Sequence, residues 1–383
     1  MNNPETHPLL PNLAAAGEFM NRRVTAFAWL SQCRVGETKN GQPFADLSLS
    51  DAEGNLAGKI WSDAGRALQT AAQLERGAAV KVLGEVREYR GSPQLNVIGL
   101  RAVRADEEGY DASRIFGEGS ELIEGLRCKT LVFDIETVPA VDLRKVPPTI
   151  AQAVSKSAER GDGDEGKVMS LSPLFGKVVS LAVGEGELPV APVANIEAST
   201  EASAEEGAGA DETGGLGSTV ADGVQVLVVP PKGRENAEFP PWIRPMSEPE
   251  LLRAFWQLAR HADLVVSYNG RGFDIPFLIM RSLIHGIPAS VDLVGKPYDL
   301  RPHLDLFKAL YPGRALGPAS LDVVCWALGI TSPKGVMDGS MVAPTYAMGD
   351  IETIAEYNRG DVRATTAVYQ QVRDRLLRFR DDW

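Results

Sequence analysis

The stretch that most constrains this sequence is TLVFDIETVP, residues 130–139. Thr130 to Phe133 are mostly apolar and read as a buried strand. Asp134 and Glu136 follow at i and i+2, which puts both carboxylates on one face of that strand. Side by side at the end of a buried strand, they repel each other. A fold that keeps both must bring a cation between them or leave one protonated. A site made only of carboxylate oxygens suits Mg2+ or Mn2+. The three cysteines (Cys33, Cys128, Cys325) lie far apart and the four histidines are scattered, which excludes a disulfide framework, a CxxC zinc site and a His-rich metal site. Unpaired thiols of this kind point to a reducing, cytoplasmic setting.

Two later stretches carry acids in equally specific contexts. Ser247 and Glu250 form a capping-box pattern that opens the helix SEPELLRAFWQLARHA. DLVVSYN then reads as a buried parallel strand, Asn269-Gly270 turns the chain, and FDIPFLIMRSLI reads as a helix. Asp274 thereby falls in the first turn of that helix, just past the strand's C-terminal end, where open α/β sheets bind ligands. In IETIAEYNRGDVRATTAVYQQVRDRLL, Tyr357 and Asp361 stand at i and i+4 on one helix face, and the intervening Gly360 permits close approach. Taken singly, each has a plain structural reading: a turn asparagine, a helix acid favoured by the dipole, a core tyrosine above a solvated acid.

The 383 residues suggest two or three domains. No apolar run is long enough for a membrane span, and the N-terminus lacks the basic and apolar regions of a secretory signal. Residues 1–19 read as a flexible tail. Residues 20–105 read as β-β-β-α-β-β, with a hairpin signal at Asn40-Gly41 and Ser62 as a helix-cap candidate. That order suits a small five-stranded OB barrel. FADLSLSDAEGNLAGKIW and VLGEVREYRGSPQLNVIGLRAV resemble the OB-fold nucleic-acid-binding domains attached to tRNA synthetases and some exoribonucleases. Phe44, Trp61 and Tyr89 are candidates for base stacking, and Lys59, Arg87 and Arg90 for phosphate contacts. The alternative is that Phe44 and Trp61 are barrel core and the bases a solvated face. Residues 106–127 read as a linker, and 128–383 as a second domain. Within it, residues 185–223 form a low-complexity acidic insert between two strand-like flanks, expected to be disordered. Between Val178 and Pro231 there are nine acidic and no basic residues, which is three-quarters of the net charge of −12. From Met20 to Arg104 twelve basic residues face eight acidic ones, so bulk acidity does not exclude a polyanionic partner.

Together, FDIET, YNGRGFD and YNRGDV, supported by SPLFGKVVSLAVG, HLDL, SLDVVCWALG and PKGVMDGSMV, resemble the DnaQ-like 3′–5′ exonucleases of the DEDD superfamily. More narrowly, they resemble the proofreading exonuclease domain of family B DNA polymerases and its stand-alone bacterial relatives. The histidine branch of that superfamily carries His five residues before the last Asp, where this chain has Glu356. The tyrosine branch carries Tyr four before it, and Tyr357 is there. The resemblance spans residues 130–375 apart from the insert and implies an RNase H-like α/β domain. It also implies two divalent ions, Mg2+ or Mn2+, held by Asp134, Glu136, Asp274 and Asp361. Asp134 would bridge both ions, Glu136 and Asp361 would hold the one that activates water, and Asp274 would anchor the other through its water shell. Tyr357 would orient that water. Asn269, Phe273, Ile135 and Thr137 would meet the terminal nucleotide. The expected function is 3′–5′ hydrolysis of single-stranded nucleic acid to 5′-mononucleotides, with DNA favoured and a DNA-repair setting in view. RNA as substrate, or a non-catalytic binding protein with a relict fold, are the alternatives. Protein partners are not legible. Asp305 and His303 read as supporting residues rather than ligands, Asp322 as a helix cap, and Lys334 as a loop lysine.

Overall fold

Val24, Ala26, Ala28 and Leu30 alternate with differently facing neighbours along β1 (Arg23–Glu37), the period of a strand with one face turned to a core. β2 (Pro43–Ser50) and β3 (Asn55–Ile60) repeat the pattern, burying Ala45, Leu47, Leu49, Leu56 and Ile60. After α1 (Gly65–Ala71), β4 (Ala79–Tyr89) and β5 (Ser92–Ala102) close a barrel in the order β1-β2-β3-β5-β4. The β3–β5 pair is parallel and the other pairs are antiparallel. This is the OB arrangement expected from the sequence. Arg90 and Gly91, at φ 53° and 82°, make the two-residue hairpin between β4 and β5, a turn whose left-handed pair matches strand twist.

The computed structural model describes residues 7–74, 77–104, 106–161, 163–187, 223–296, 298–312, 317, 319–331, 337–380 and 383. They divide into two units, Met1–Glu124 and Gly125–Trp383. The low-complexity insert, apart from its flanking residues, and Lys334 lie outside the described residues.

Three local expectations need correction. Residues 7–19 are not a loose tail. Leu10 N–H donates to Thr25 O at 2.8 Å and Thr25 N–H to Pro8 O at 2.9 Å, Leu13 N–H donates to Asp51 Oδ2 at 2.6 Å, and Leu10, Leu13 and Ala16 are buried in the barrel core. Nor is the segment after β5 a bare linker. Phe27 and Trp29 point outward from β1, and Ile115 and Phe116 of α2 (Ala112–Phe116) cover them. Ser62 does not cap α1, whose N-cap is Ala64 without a side-chain bond.

The second unit is built on β6 (Thr130–Pro139). α3 (Pro148–Glu159) and α4 (Glu165–Ser170) follow, then β7 (Gly176–Glu185), β8 (Gln225–Val228) and β9 (Ile243–Pro245). α5 (Glu248–His261) leads to β10 (Leu264–Ser267), α6 (Asp274–Ile284), β11 (His303–Asp305) and α7 (Leu306–Leu310). α8 (Leu321–Leu328), α9 (Val342–Ala347) and the 25-residue α10 (Ile351–Arg375) complete it. The sheet order is β11-β10-β6-β7-β8-β9. β11, β10 and β6 are parallel, and β7 is antiparallel to both β6 and β8. The capping box predicted at Ser247 and Glu250 is formed. One face of the sheet packs on α8 and α10 through Val132, Val266, Val362 and Val368. The other meets α5, where the Phe133 and Phe255 rings lie 5.0 Å apart. The acids of β6 emerge on the α10 side, beyond Val132.

Candidate active site

Asp134, Glu136 and Asp361 converge. Each offers a carboxylate oxygen, and the three oxygens lie within 4.8 Å of one another. The strand supplies two by its period of two, and α10 crosses the same face to supply the third. A bulge sharpens the arrangement: Glu136 pairs with Ser180 but Thr137 pairs with Val178, so Val179 is the extra residue of β7. Such a bulge bends the ladder where the acids sit. Asp274 is the first residue of α6 and accepts a hydrogen bond from Ile135 N–H, 3.3 Å away, between the two strand acids. It therefore stands beside the trio rather than within it.

The electrostatics follow from this crowding. Burial, and then the charges of Asp274, Asp361 and Glu136, push the Asp134 carboxyl well above the ordinary carboxylate range. The hydrogen bond from Asn358 Nδ2 to Asp134 Oδ2, 2.7 Å, acts in the opposite sense and does not offset them. Burial, then Asp361 and Asp274, raise Glu136 in the same way. Burial pushes Asp274 up to about 7. Oxygen donors that crowd and destabilise one another's charge are a fitting cradle for a hard divalent cation, whose own charge removes the repulsion. Asp134, Glu136 and Asp361 are the residues that would hold it, with Asp274 adjacent. Tyr357 is hydrogen-bonded to Asp361, and burial followed by the Asp361 charge raises its phenol further. It stays protonated at neutral pH.

The other residues expected at the site are differently disposed. Thr137 is buried and its hydroxyl donates to Ser170 O at 2.8 Å, while the Ile135 amide is committed to Asp274. Asn269 is an exposed residue in the left-handed region at φ 62°. Phe273 is partly exposed, its ring centroid 5.6 Å from that of Phe277 on α6. One participant was missed: Asn358, fully buried, joins Ser180 Oγ to Asp134. Its only sequence signal is its place between Tyr357 and Asp361.

On the barrel, Phe44, Lys59 and Trp61 lie on the outer side of β2 and β3, not in the core. Lys59 Nζ sits 3.7 Å from the Phe44 ring centroid and 4.9 Å from that of Trp61, and bonds Asp46 Oδ1 at 2.7 Å. Trp61 is exposed. Arg87 is held by Asn21 and Glu85. Tyr89 and Arg90 pack together at the β4–β5 hairpin, 5.2 Å from guanidinium carbon to ring centroid.

Residues 243–378 match the family described as a predicted 3′-5′ exonuclease related to the exonuclease domain of PolB, and residues 24–102 match the OB-fold nucleic acid binding domain family. The first match contains Asp274, Tyr357 and Asp361. The chain is 38% identical over 74 residues to the 3′-5′ exoribonuclease YhaM of Bacillus pumilus, covering 19% of this chain and 22% of that one. It is 31% identical over 88 residues to YhaM of Bacillus subtilis, covering 23% and 27%. It thus spans about a quarter of the length of the curated relatives it matches. A family B DNA polymerase from Pyrobaculum calidifontis aligns over 90% of this chain and 46% of its own, at 17% identity and a TM-score of 0.39. The chain therefore carries an OB-fold domain followed by a mixed-sheet domain of the PolB-related exonuclease kind.

Proposed function

We propose that this protein is a metal-dependent 3′–5′ exonuclease of single-stranded nucleic acid, releasing 5′-mononucleotides, with DNA as its substrate. The observation that carries the proposal is the convergence of Asp134, Glu136 and Asp361 with Tyr357 hydrogen-bonded to the last of them. Asp134, Glu136 and Asp361, with Asp274 beside them, would hold two divalent ions, Mg2+ or Mn2+. When bound, such ions lower the pKa of an attacking water and stabilise charge on the leaving 3′ oxygen.

The chain's own groups do the rest. Asn358 fixes the rotamer of Asp134, and Ser180 fixes Asn358. The protonated Tyr357 hydroxyl orients the water by hydrogen bonding, since a phenol held this far above neutrality is no base. The water oxygen joins phosphorus, the P–O3′ bond breaks, and the released 3′ oxygen takes up a proton. Asn269 and Phe273 flank the strand's terminal nucleotide as polar contact and packing surface. Phe44, Trp61, Tyr89 and Arg90 bind upstream nucleotides by stacking and charge, with Lys59 and Arg87 weaker candidates because Asp46 already holds the one and Asn21 and Glu85 the other. Tethering such a surface to a weakly gripping catalytic centre raises the local substrate concentration.

RNA is a second reading, favoured by the name of the exoribonuclease YhaM relatives. Digestion of 3′- and 5′-labelled single-stranded DNA and RNA with Mn2+, beside Asp134→Ala and an EDTA control, tests both. A ladder shortening from the 3′ end in DNA, absent in both controls, is the expected result. Preference for RNA replaces the substrate, and no cleavage of either polymer overturns the enzymatic reading.

A further inference from the structure

Asp305 is almost wholly buried, yet it ligates nothing in the acidic trio. Its carboxylate is filled by backbone donors. Oδ1 accepts from Asn269 N–H at 3.0 Å and Lys308 N–H at 3.3 Å, and Oδ2 accepts from Arg271 N–H at 3.1 Å. The first and third of these belong to the turn that joins β10 to Asp274. That turn is strained at its start, where Asn269 takes the left-handed region, and crowded at Gly270, where any Cβ would overlap Ser267 Oγ. Its other side is tied down as well. The Arg271 guanidinium donates to the carbonyls of Val294, Lys296, Asp299 and His303. His303, fully buried, hydrogen-bonds Ser267 Oγ at 2.8 Å and Leu293 O at 2.9 Å. Asp274 leaves this turn to meet Ile135 N–H between the strand acids.

We propose that Asp305 is a positioning residue of the active site: by holding the amides of Asn269 and Arg271 it fixes the turn that delivers the Asp274 carboxylate to the acids of β6. This rests on the exonuclease reading for its activity arm and on metal binding for its independent arm. Asp305 reaches the metal ligands through Asp274 alone, so its effect on Mn2+ affinity should vanish when Asp274 is absent.

The test is a double-mutant cycle in the full chain with Asp305→Ala, Asp274→Ala and the double variant, and Asp305→Asn as the conservative change. Two quantities are read: Mn2+ affinity by calorimetry, and kcat with KM on a 3′-labelled single strand. Asp305→Ala should lose about 10–100-fold in Mn2+ affinity, with kcat falling in step, the usual scale for a residue supporting metal ligands. Asp305→Asn keeps one acceptor and should fall between. The double variant should be no worse than Asp274→Ala. Additive losses overturn the proposal while leaving the exonuclease reading intact, as does an Asp305→Ala variant with wild-type affinity and kcat. If the wild type binds Mn2+ but cleaves nothing, the exonuclease reading falls and the cycle on Mn2+ affinity still decides Asp305. If Asp305→Ala fails to fold, the cycle is run on Asp305→Asn. A wild type that binds no Mn2+ overturns both.

Discussion

Asp134, Glu136 and Asp274 carry opposite obligations in the two states of the chain. Folded, their carboxyls titrate above the ordinary range, and unfolded they return to about 4. Without a cation, their contribution to stability is complete below about pH 4 and is lost as pH rises through each folded value, which for Asp274 is about 7. A divalent ion that removes the repulsion should raise the melting temperature, and by more at pH 8 than at pH 5.5. Calorimetric scans with Mn2+ and with EDTA at the two pH values check this; an equal shift at both would mean that the acids are not the ligands. Tyr357→Phe keeps the ring and removes the hydroxyl, so kcat should drop about a hundredfold, within the range for a lost acid–base or orienting group, while the melting temperature holds. Asn358→Ala should weaken Mn2+ binding by about 10–100-fold, because Asp134 loses the group that fixes it.

Among the elements, α5, α6 and β7 are locked by a buried cluster outside the site. Glu248 receives Arg281 at 2.8 and 2.7 Å through both oxygens, Val178 N–H at 2.9 Å, and the His285 ring at 3.0 Å. Burial would raise its pKa, but the Arg281 and Val178 bonds outweigh it and the carboxyl is lowered. Its stabilisation is present above the ordinary glutamate pKa and is lost as pH falls through the lower, folded value. Glu248→Ala leaves the buried Arg281 without its carboxylate counter-charge, and should cost about 3–5 kcal/mol in denaturation followed by helical circular dichroism. The elements themselves were largely legible in the sequence, because β10, α5 and α6 show clear apolar patterning bounded by turn or cap signals. The β-β-β-α-β-β order was legible for the same reason. Two things were not. The segment 7–19 has its apolar residues at irregular spacing, so nothing local announces that Leu10, Leu13 and Ala16 close the barrel. Asn358 looks like any helix asparagine until β7 brings Ser180 against it. At the site, the four acids and Tyr357 were named from the sequence, but the hydrogen bonds that aim them join residues up to 224 positions apart.

For the whole molecule, charge is unevenly distributed along the chain, with a basic excess in residues 20–104 and the acids gathered between Val178 and Pro231. Affinity for a single strand should therefore fall as salt rises, despite the net charge of −12. Trp61→Ala should weaken binding by about 1–3 kcal/mol, the scale of one lost base stack, in anisotropy titrations with a labelled oligonucleotide, while kcat at saturation is unchanged. No helix among the described residues is long and apolar enough to cross a membrane. The pairing of β6 with β7 has one more consequence. Glu185 lies opposite Leu131, at the entry of β6, whereas Asp134 and Glu136 lie further along it. β7 therefore leaves the sheet, and β8 re-enters it, on the side away from the carboxylates. A change in the length of sequence between these two strands would thus enter the sheet at the end remote from Asp134 and Glu136. For the same reason the exposed Gly223, just before β8, offers an experimenter a place to graft a fluorophore or a surface tether for testing whether single strands shorten in real time.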